Sequence, residues 1–258
     1  MDDLLEFAVN CAYESGRIQR KYYGKRFEIH HKGEINLVTD VDFECQNRII
    51  ELIKASFPDD EVIAEEKTNY YGGTKNRWIV DPLDGTTNYA HGYPFFCTSI
   101  AYEEEGMITL GVVYNPIFKE LFFTRKGGGA YLNGNKIRVS GTYDLKKSLV
   151  STGFPYDLAT NPNNNVDHFT RFLFEAQAIR RDGSAALNLS YLACGRFDGF
   201  WELNLNPWDV AAGALMVLEA DGMITTFSGG EYNIYSGEIL ASNGLIHQKM
   251  SHVLGRNL

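Results

Sequence analysis

The 258-residue sequence has little of what marks a nucleic-acid-binding or a membrane protein. Its densest basic positions are the pairs Lys146-Lys147 and Arg180-Arg181, and its formal net charge is −9. Because binding to a nucleic-acid backbone needs a clustered basic face, we expect no nucleic-acid partner. No apolar run approaches membrane-spanning length, and the acidic start at Asp2-Asp3 is wrong for a signal peptide. We therefore expect a cytoplasmic protein with no membrane partner.

Cysteine is also scarce, and the four cysteines lie far apart in apolar segments. No two of them have the spacing of a zinc site or a redox pair. Small buried thiols in a reduced, intracellular protein are the simplest interpretation. The four are Cys11, Cys45, Cys97 and Cys194.

One stretch of the chain combines a strand, two carboxylates and a glycine. Residues 77–80 predict a short buried strand that ends at Pro82, because proline cannot donate a hydrogen bond to a sheet. Asp81 and Asp84 would then converge at a turn, where one or two carboxylates with waters and a phosphate can hold Mg²⁺. Gly85 lets the backbone approach a ligand, and the amides that follow would face an anion. Asp-Pro and Asp-Gly pairs are equally ordinary turn material, so this stretch alone leaves both interpretations open.

Hydrophobic periodicity and turn residues divide the rest of the chain into helices and strands. The predicted helices are 3–23, 40–57, 166–176, 184–195, 207–220 and one from about 243. The predicted strands are 61–64, 95–102, 107–114, 119–124, 148–152, about 179–180, 197–202, 223–226 and 238–241.

These elements predict two halves that meet near Ser140 and form one integrated unit. The half 1–140 should be an α+β unit with an antiparallel sheet and most of the candidate metal ligands. The half 141–258 should be an α/β unit that carries Asp209 and the candidate substrate residues. Gly127-Gly128-Gly129 is interpreted as a turn, since it lacks the Lys-Ser/Thr of a phosphate-binding loop.

Four further acids stand where the chain changes direction. Glu65 and Glu202 end predicted strands, and Asp42 and Asp209 lie in the first turns of predicted helices. Each helix-start acid could simply complement the helix dipole. Together, acids at strand ends and helix starts around one central turn are what a site with several metal ions requires.

Five segments, in this order, resemble the inositol monophosphatase family of Mg²⁺-dependent, lithium-sensitive phosphatases, which includes fructose-1,6-bisphosphatases and bisphosphate nucleotidases. The resemblance spans nearly the whole chain. The segments are Leu37-Val38-Thr39-Asp40-Val41-Asp42, Ala64-Glu65-Glu66, Trp78-Ile79-Val80-Asp81-Pro82-Leu83-Asp84-Gly85-Thr86-Thr87-Asn88, Arg181-Asp182-Gly183-Ser184-Ala185-Ala186 and Asn206-Pro207-Trp208-Asp209-Val210-Ala211-Ala212-Gly213.

The resemblance implies a mixed α and β fold, a five-layer αβαβα sandwich, usually as a homodimer. It also implies two to three Mg²⁺ ions, with Mn²⁺ able to substitute. Glu65, Asp81 and the Leu83 carbonyl would hold the first ion, and a third, weaker ion would lean on Glu65. Asp81, Asp84 and Asp209 would hold the second.

The same resemblance implies the groups that act on the substrate, a small phosphate ester. Gly85 and Thr86 would offer backbone amides to the phosphate. Thr86 with Asp42 would position and deprotonate the attacking water, with Glu65 also in a catalytic role. Glu202 would contact the alcohol part. Gly183, Ser184 and Ala185 would do so too, and Asp84 and Asp209 would also touch the substrate.

The chemistry agrees with this arrangement. Hydrolysis of a phosphate monoester is among the slowest uncatalysed reactions, because the dianion repels its nucleophile. Two metal ions about 3.5–4 Å apart can neutralise the ester, activate water and stabilise the departing oxygen. No nucleophilic side chain is then needed.

Some residues depart from the family pattern. Asp182 stands where a neutral residue is expected, and Asn188 where many bacterial relatives carry an acid. The loop 67–76 is shorter than in animal relatives. Lys32 resembles a site-adjacent lysine, and Arg180 and Arg181 could serve a second phosphate or pair with Asp182.

The sequence therefore favours hydrolysis of a myo-inositol monophosphate to inositol and phosphate. A fructose-1,6-bisphosphatase, alone or with both activities, is the main alternative. A bisphosphate nucleotidase and a non-catalytic interaction protein are less favoured.

Overall fold

A computed structural model describes residues 3–25, 28–31, 37–66 and 72–255. Lys32 and residues 67–71 of the loop 67–76 lie outside the described residues. The helices are α1 Asp3–Tyr22, α2 Asp40–Ser56, α3 Thr86–Ala90, α4 Val166–Glu175, α5 Ala185–Ala193, α6 Pro207–Glu219 and α7 His247–Leu254. The strands are β1 Ile29–His31, β2 Leu37–Thr39, β3 Glu61–Ala64, β4 Arg77–Asp84, β5 Cys97–Glu104, β6 Met107–Asn115, β7 Glu120–Arg125, β8 Gly129–Leu132, β9 Asn135–Ile137, β10 Leu149–Thr152, β11 Ala178–Arg180, β12 Gly199–Leu203, β13 Met223–Thr225 and β14 Glu238–Ser242.

Two sheets and three helical layers form the predicted αβαβα sandwich. A seven-stranded sheet runs in chain order from β3 to β9, and only its β3–β4 pair is parallel. A five-stranded sheet has the order β11-β10-β12-β14-β13, with β10 parallel to both of its neighbours. Helices α1 and α2 cover the outer face of the first sheet, and α4 and α7 cover that of the second.

Helices α5 and α6 form the middle layer, between the two sheets. Eight of the nine residues of α5 are buried, as expected of a helix that is apolar on all sides. Gly213 of α6 allows the two helices to approach, since a Cβ there would lie 2.6 Å from the Leu189 Cβ. Gly111 of β6 does the same for the sheet, because its Cβ would lie 2.8 Å from the Ala212 carbonyl oxygen.

Most predicted elements are present. The antiparallel pair β1–β2 was not predicted, and three further differences follow. Strand β4 continues through Pro82 to Asp84, because a bulge against β5 absorbs the proline. The hairpin β8–β9 around Asn133-Gly134 was predicted only as turns, since its strands are three and four residues long. The last helix begins at His247 rather than near 243, because the Asn243 side chain caps the preceding turn by accepting from the amides of Leu245 and Ile246.

The two sheets divide at residues 137–149, on either side of the predicted boundary near Ser140. One core cluster nevertheless joins Ile79 and Val113 of the first sheet to Phe200 and Ala241 of the second. The assignment of 1–140 and 141–258 as two halves of one unit stays a prediction. Within the described residues, no helix combines the length and the apolarity needed to cross a membrane.

Candidate active site

Five of the six acids predicted from the sequence, all except Asp42, line one cavity of about 440 Å³ between the two halves of the chain. Glu65 lies just after β3, Asp81 and Asp84 lie at the end of β4, and Asp209 lies in the first turn of α6. The other predicted residues on this wall are Leu83, Gly85, Thr86 and Glu202.

The end of β4 is fixed by hydrogen bonds to the carbonyl oxygen of Pro82. Ser15 and Gln19 of α1 donate to it at 3.2 and 2.8 Å, and Thr98 of β5 donates at 3.1 Å. The carboxylate of Asp81 accepts from the amide of Leu83 at 3.0 Å. These bonds hold the bulge, and the bulge directs both carboxylates to the cavity.

Asp84 is held from the other half of the chain, at the N-terminus of α5. Its Oδ2 accepts from the Ser184 hydroxyl at 2.6 Å and from the Ala186 amide at 2.8 Å. Ser184 also caps α5 by accepting from the Leu187 amide at 3.3 Å. One carboxylate oxygen of Asp84 is thus committed to the helix.

Asp209 is positioned by its own helix. Pro207 is at the start of α6, where its missing N–H costs nothing. The Asp209 Oδ2 accepts from the Asn206 amide at 2.7 Å, as the third residue of a capping box does. Asp209 therefore caps its own helix by accepting from an orphan amide, and the same placement brings it to the cavity.

The carboxylates of the cluster share one cavity and are withdrawn from water, so their negative charges destabilise the protein when no cation is bound. Burial, followed by repulsion from the neighbouring carboxylates, raises the pKa of Asp81 and of Asp209 well above the ordinary value. Burial raises the pKa of Asp84 to about 6 and that of Glu202 to about 8. In the described part of the chain, no lysine, arginine or histidine forms an ion pair with these four acids.

These observations fit a site for hard divalent cations. Carboxylate and carbonyl oxygens are the ligands of Mg²⁺, and buried like charges without a cationic side chain need a counter-charge. The acids are spread along the cavity: among the described residues, the only three acid or imidazole groups with ligand atoms all within 4.8 Å are Glu28, His30 and Asp40, which are exposed on the surface. A spread set suits several ions better than one.

Asp42 and Thr86 form a hydrogen-bonded pair at the edge of the cluster. The Thr86 hydroxyl lies 2.9 Å from Asp42 Oδ1 and 3.1 Å from the Leu83 carbonyl oxygen. The other oxygen of Asp42 accepts from the amide and the hydroxyl of Thr39, at 2.8 and 2.5 Å, and so completes the capping box of α2. Burial raises the pKa of Asp42 to about 6, although these hydrogen bonds oppose the rise.

Gly85 connects β4 to α3 in a left-handed conformation, with φ of 98°. A Cβ at this position would lie 2.9 Å from the Phe95 carbonyl oxygen, so only glycine fits without a shift. The backbone of Gly85 and Thr86 consequently stays at the cavity wall.

A second cavity of about 260 Å³ adjoins the first and shares Asp84, Glu202 and Asp209 with it. Its other predicted residues are Gly183, Ser184 and Ala185. Four more lining residues lie in segments that the sequence analysis had considered, namely Thr87, Asn88, Arg181 and Asn188. The remaining lining residues come from distant segments without a motif and were not predicted; they are Thr152, Gly153, Phe154, Tyr156 and Leu205.

Asn88 fixes the turn beside this second cavity. Its Nδ2 donates to the carbonyl oxygens of Phe95 and Asp182, at 2.7 and 2.6 Å. The Asp182 side chain lines neither cavity. Burial raises the pKa of Asp182, and the nearby charge of Arg180 opposes that rise.

The glycine triplet is a turn, as predicted. The amides of Gly127 and Gly129 donate to the Glu219 carboxylate at 2.7 and 2.8 Å. The anion that these two amides bind is therefore the carboxylate of Glu219 at the C-terminal end of α6. Asp209 and the acid cluster lie at the opposite end of that helix.

The fold class is shown by a solved structure, that of the extragenic suppressor protein suhB of Bartonella henselae. The two chains superpose with a TM-score of 0.94 at 38% identity, and each is covered over 100% of its length. The class is that of the αβαβα sandwiches with an acid-lined cavity between the halves.

The particular family follows from the sequence. The profile described as the inositol monophosphatase family matches residues 1–256. A Synechocystis protein named inositol-1-monophosphatase is 43% identical over 97% of this chain and 88% of its own length. A Thermotoga maritima protein named fructose-1,6-bisphosphatase/inositol-1-monophosphatase is 39% identical over 98% and 96%. The chain belongs to the inositol monophosphatase family, a family of phosphatases.

Proposed function

We propose that this protein hydrolyses a phosphate monoester, with a myo-inositol monophosphate as the preferred substrate and Mg²⁺ as the cofactor. The observation that carries the proposal is a group of four buried or half-buried carboxylates in one cavity that form no ion pair with a cationic side chain among the described residues. They are Asp81, Asp84, Glu202 and Asp209. The names of the relatives support the substrate.

The metal ligands in this proposal are those that the family resemblance implies. Glu65, Asp81 and the Leu83 carbonyl would hold one ion, and Asp81, Asp84 and Asp209 a second, with a third ion near Glu65. When bound, the ions supply positive charge to the phosphate and lower the pKa of water. The protein holds the ligands in place, through α5 for Asp84 and through α6 for Asp209.

Asp42 and Thr86 move the proton of the attacking water. The attacking water must lose one proton when its oxygen bonds to phosphorus. The Thr86 hydroxyl already donates a hydrogen bond to Asp42 Oδ1 and can relay that proton. As water transfers a proton to the Thr86 oxygen, Thr86 passes its own proton to Asp42. A carboxyl whose pKa is raised to about 6 accepts that proton more readily than an ordinary aspartate does.

The remaining side chains and amides bind the two parts of the substrate. Gly85 and Thr86 present backbone to the first cavity, where the phosphate would lie. Glu202, Gly183 and Ala185 line the second cavity, which would take the alcohol. A homodimer and inhibition by lithium complete the proposal and rest on the family resemblance. The proposed cytoplasmic location rests on the acidic start, the lack of a long apolar run and the scattered cysteines.

The proposal is tested by phosphate release from three esters with Mg²⁺, repeated with added Li⁺. The esters are myo-inositol 1-phosphate, fructose 1,6-bisphosphate and adenosine 3′,5′-bisphosphate. We expect fast, lithium-sensitive turnover of the inositol ester. No phosphate release from any of the three esters would contradict the proposal and favour a non-catalytic interaction protein.

A second candidate is fructose-1,6-bisphosphatase activity, alone or with the first. Arg181 lines the second cavity, and in the described part of the chain its guanidinium forms no ion pair or hydrogen bond. An uncommitted arginine beside the alcohol site can bind a second phosphate. Faster turnover of the fructose ester, and its selective loss in Arg181→Met, would favour this candidate.

A further inference from the structure

Asn188 of α5 lies in the wall of the smaller cavity with its side-chain amide unused. The residue is 1% exposed, and its Oδ1 has no hydrogen-bond donor among the described residues. Its NH₂ group likewise donates to none of them. The backbone of Asn188 is normal for a helix, since its amide bonds the Ser184 carbonyl at 3.0 Å.

Another buried asparagine, Asn243, has a partner for each of its side-chain polar atoms. Asn243 is 4% exposed, yet its NH₂ donates to the Ser140 hydroxyl and the Thr142 carbonyl at 2.9 and 2.7 Å, and its oxygen accepts from two amides. A buried polar group nearly always has such partners, because leaving it unpaired destabilises the fold. An unpaired amide at a cavity wall therefore calls for a partner that enters the cavity.

The neighbours of Asn188 indicate the chemistry of that partner. Three carboxylates, those of Glu202, Asp84 and Asp209, line the same cavity and disfavour an anionic partner for the amide. The one guanidinium in the lining, that of Arg181, is the group that the second candidate function would use for a second phosphate. A hydroxyl group both donates and accepts, as a carboxamide does, and suits a neutral amide beside a carboxylate. An apolar ligand would leave the amide unpaired.

We propose that Asn188 is a specificity-determining residue, which hydrogen-bonds a hydroxyl group on the alcohol part of the substrate next to Glu202. The inference rests on the proposed phosphatase function and adds a requirement to it: the alcohol must be polyhydroxylated. Asn188 then discriminates against esters that lack a hydroxyl at this point, since they leave the buried amide unpaired.

The test compares two esters in the wild type and in Asn188→Leu, which keeps the number and branching of the side-chain heavy atoms and removes the amide. The esters are myo-inositol 1-phosphate and phenyl phosphate, whose leaving group carries no further hydroxyl. We expect the ratio of their kcat/KM values to fall about 3- to 10-fold in the variant, mainly through KM, which is the effect of one uncharged hydrogen bond. Asn188→Ala should lower the same ratio.

Thermal unfolding distinguishes this role from a structural one. Because Asn188 makes no hydrogen bond to the described residues, Asn188→Leu should keep or raise the melting temperature. The control Asn243→Leu removes four hydrogen bonds far from the cavity, and should lower the melting temperature without changing the ester ratio.

The outcomes separate the two claims. If the wild type is active and the ester ratio is unchanged in Asn188→Leu, the role of Asn188 is overturned. It is also overturned if Asn188→Leu lowers the melting temperature and reduces turnover of both esters equally. Either result would indicate that an internal water pairs with the amide. A wild type that prefers another polyhydroxylated ester would change the substrate only, and Asn188→Leu must then lower the ratio for that ester. No turnover of either ester would overturn both claims.

Discussion

Replacing Ser184 by alanine should make the carboxylate of Asp84 less firmly oriented, although Ser184 is not itself a proposed metal ligand. The Ser184 hydroxyl donates to Asp84 Oδ2 at 2.6 Å and caps α5 by accepting from the Leu187 amide. Loss of a helix cap costs about 1 kcal/mol. Loss of a hydrogen bond to a charged group costs about 1.5–3 kcal/mol, and the remaining Ala186 amide on the same oxygen reduces that figure.

We therefore expect the free energy of unfolding to fall by about 1–3 kcal/mol in Ser184→Ala, which can be measured by urea unfolding of the metal-free protein. Mg²⁺ affinity, measured by calorimetry, should fall about 10- to 100-fold, the usual effect of removing a group that orients a ligand. Ser184→Thr keeps a hydroxyl and should restore most of both quantities.

Ser190→Ala is the matched control on the same helix. Ser190 is fully buried, and its hydroxyl donates to the Ala186 carbonyl at 2.8 Å rather than to an acid. Its loss should change stability modestly and leave Mg²⁺ affinity unchanged. Wild-type Mg²⁺ affinity in Ser184→Ala, or an equal loss in Ser190→Ala, would refute the reasoning.

Two further predictions concern protons. In the metal-free protein, Asp81 and Asp209 have pKa values raised well above normal and Glu202 one of about 8, so the folded state holds protons that the unfolded chain has released. Raised carboxyl pKa values mean that stability falls as pH rises, here between about pH 6.5 and 9. The fall should be about 1.4 kcal/mol per pH unit for each proton held. A melting temperature that rises with pH in this window would contradict the raised pKa values. Asp42→Asn removes the proton acceptor and should lower kcat about 10²- to 10⁴-fold. Its Mg²⁺ affinity by calorimetry should stay near the wild-type value, and unchanged kcat would remove Asp42 from the mechanism.

The pH window avoids the buried histidines. Burial lowers the pKa of His168 and of His247, so their effect on stability appears as pH falls below about 6.5, the ordinary value for histidine. Added Mg²⁺ should remove most of the pH dependence above that value, because it replaces the protons on the acid cluster.

The sequence predicted local features well, because their causes are local. Asp42 and Asp209 were placed at helix starts from the residues just before them, and both complete capping boxes. The strand before Asp81 was predicted from its apolar residues, but its end was not. Strand β4 passes through Pro82 because it forms a bulge against β5 there, and the sequence of β4 alone does not determine its register with a partner strand.

The contacts that finish the site could not be predicted, because they join distant segments. Ser184 and Asp84 are 100 positions apart, and only the fold brings α5 onto the carboxylate. The family resemblance implied that Ser184 contacts the substrate, whereas in the structure its hydroxyl donates a hydrogen bond to Asp84. Asn188 was noted as a departure from bacterial relatives, but its unpaired amide is visible only in the packed cavity.

The most direct test of the central claim is phosphate release from myo-inositol 1-phosphate by the wild type and by Asp84→Asn, with and without Mg²⁺. The account predicts turnover by the wild type only when Mg²⁺ is present. It predicts near-complete loss in Asp84→Asn, with a circular dichroism spectrum like that of the wild type. Wild-type turnover in the presence of a chelator, or an active Asp84→Asn variant, would contradict the assignment of this carboxylate cluster to metal-dependent phosphate hydrolysis.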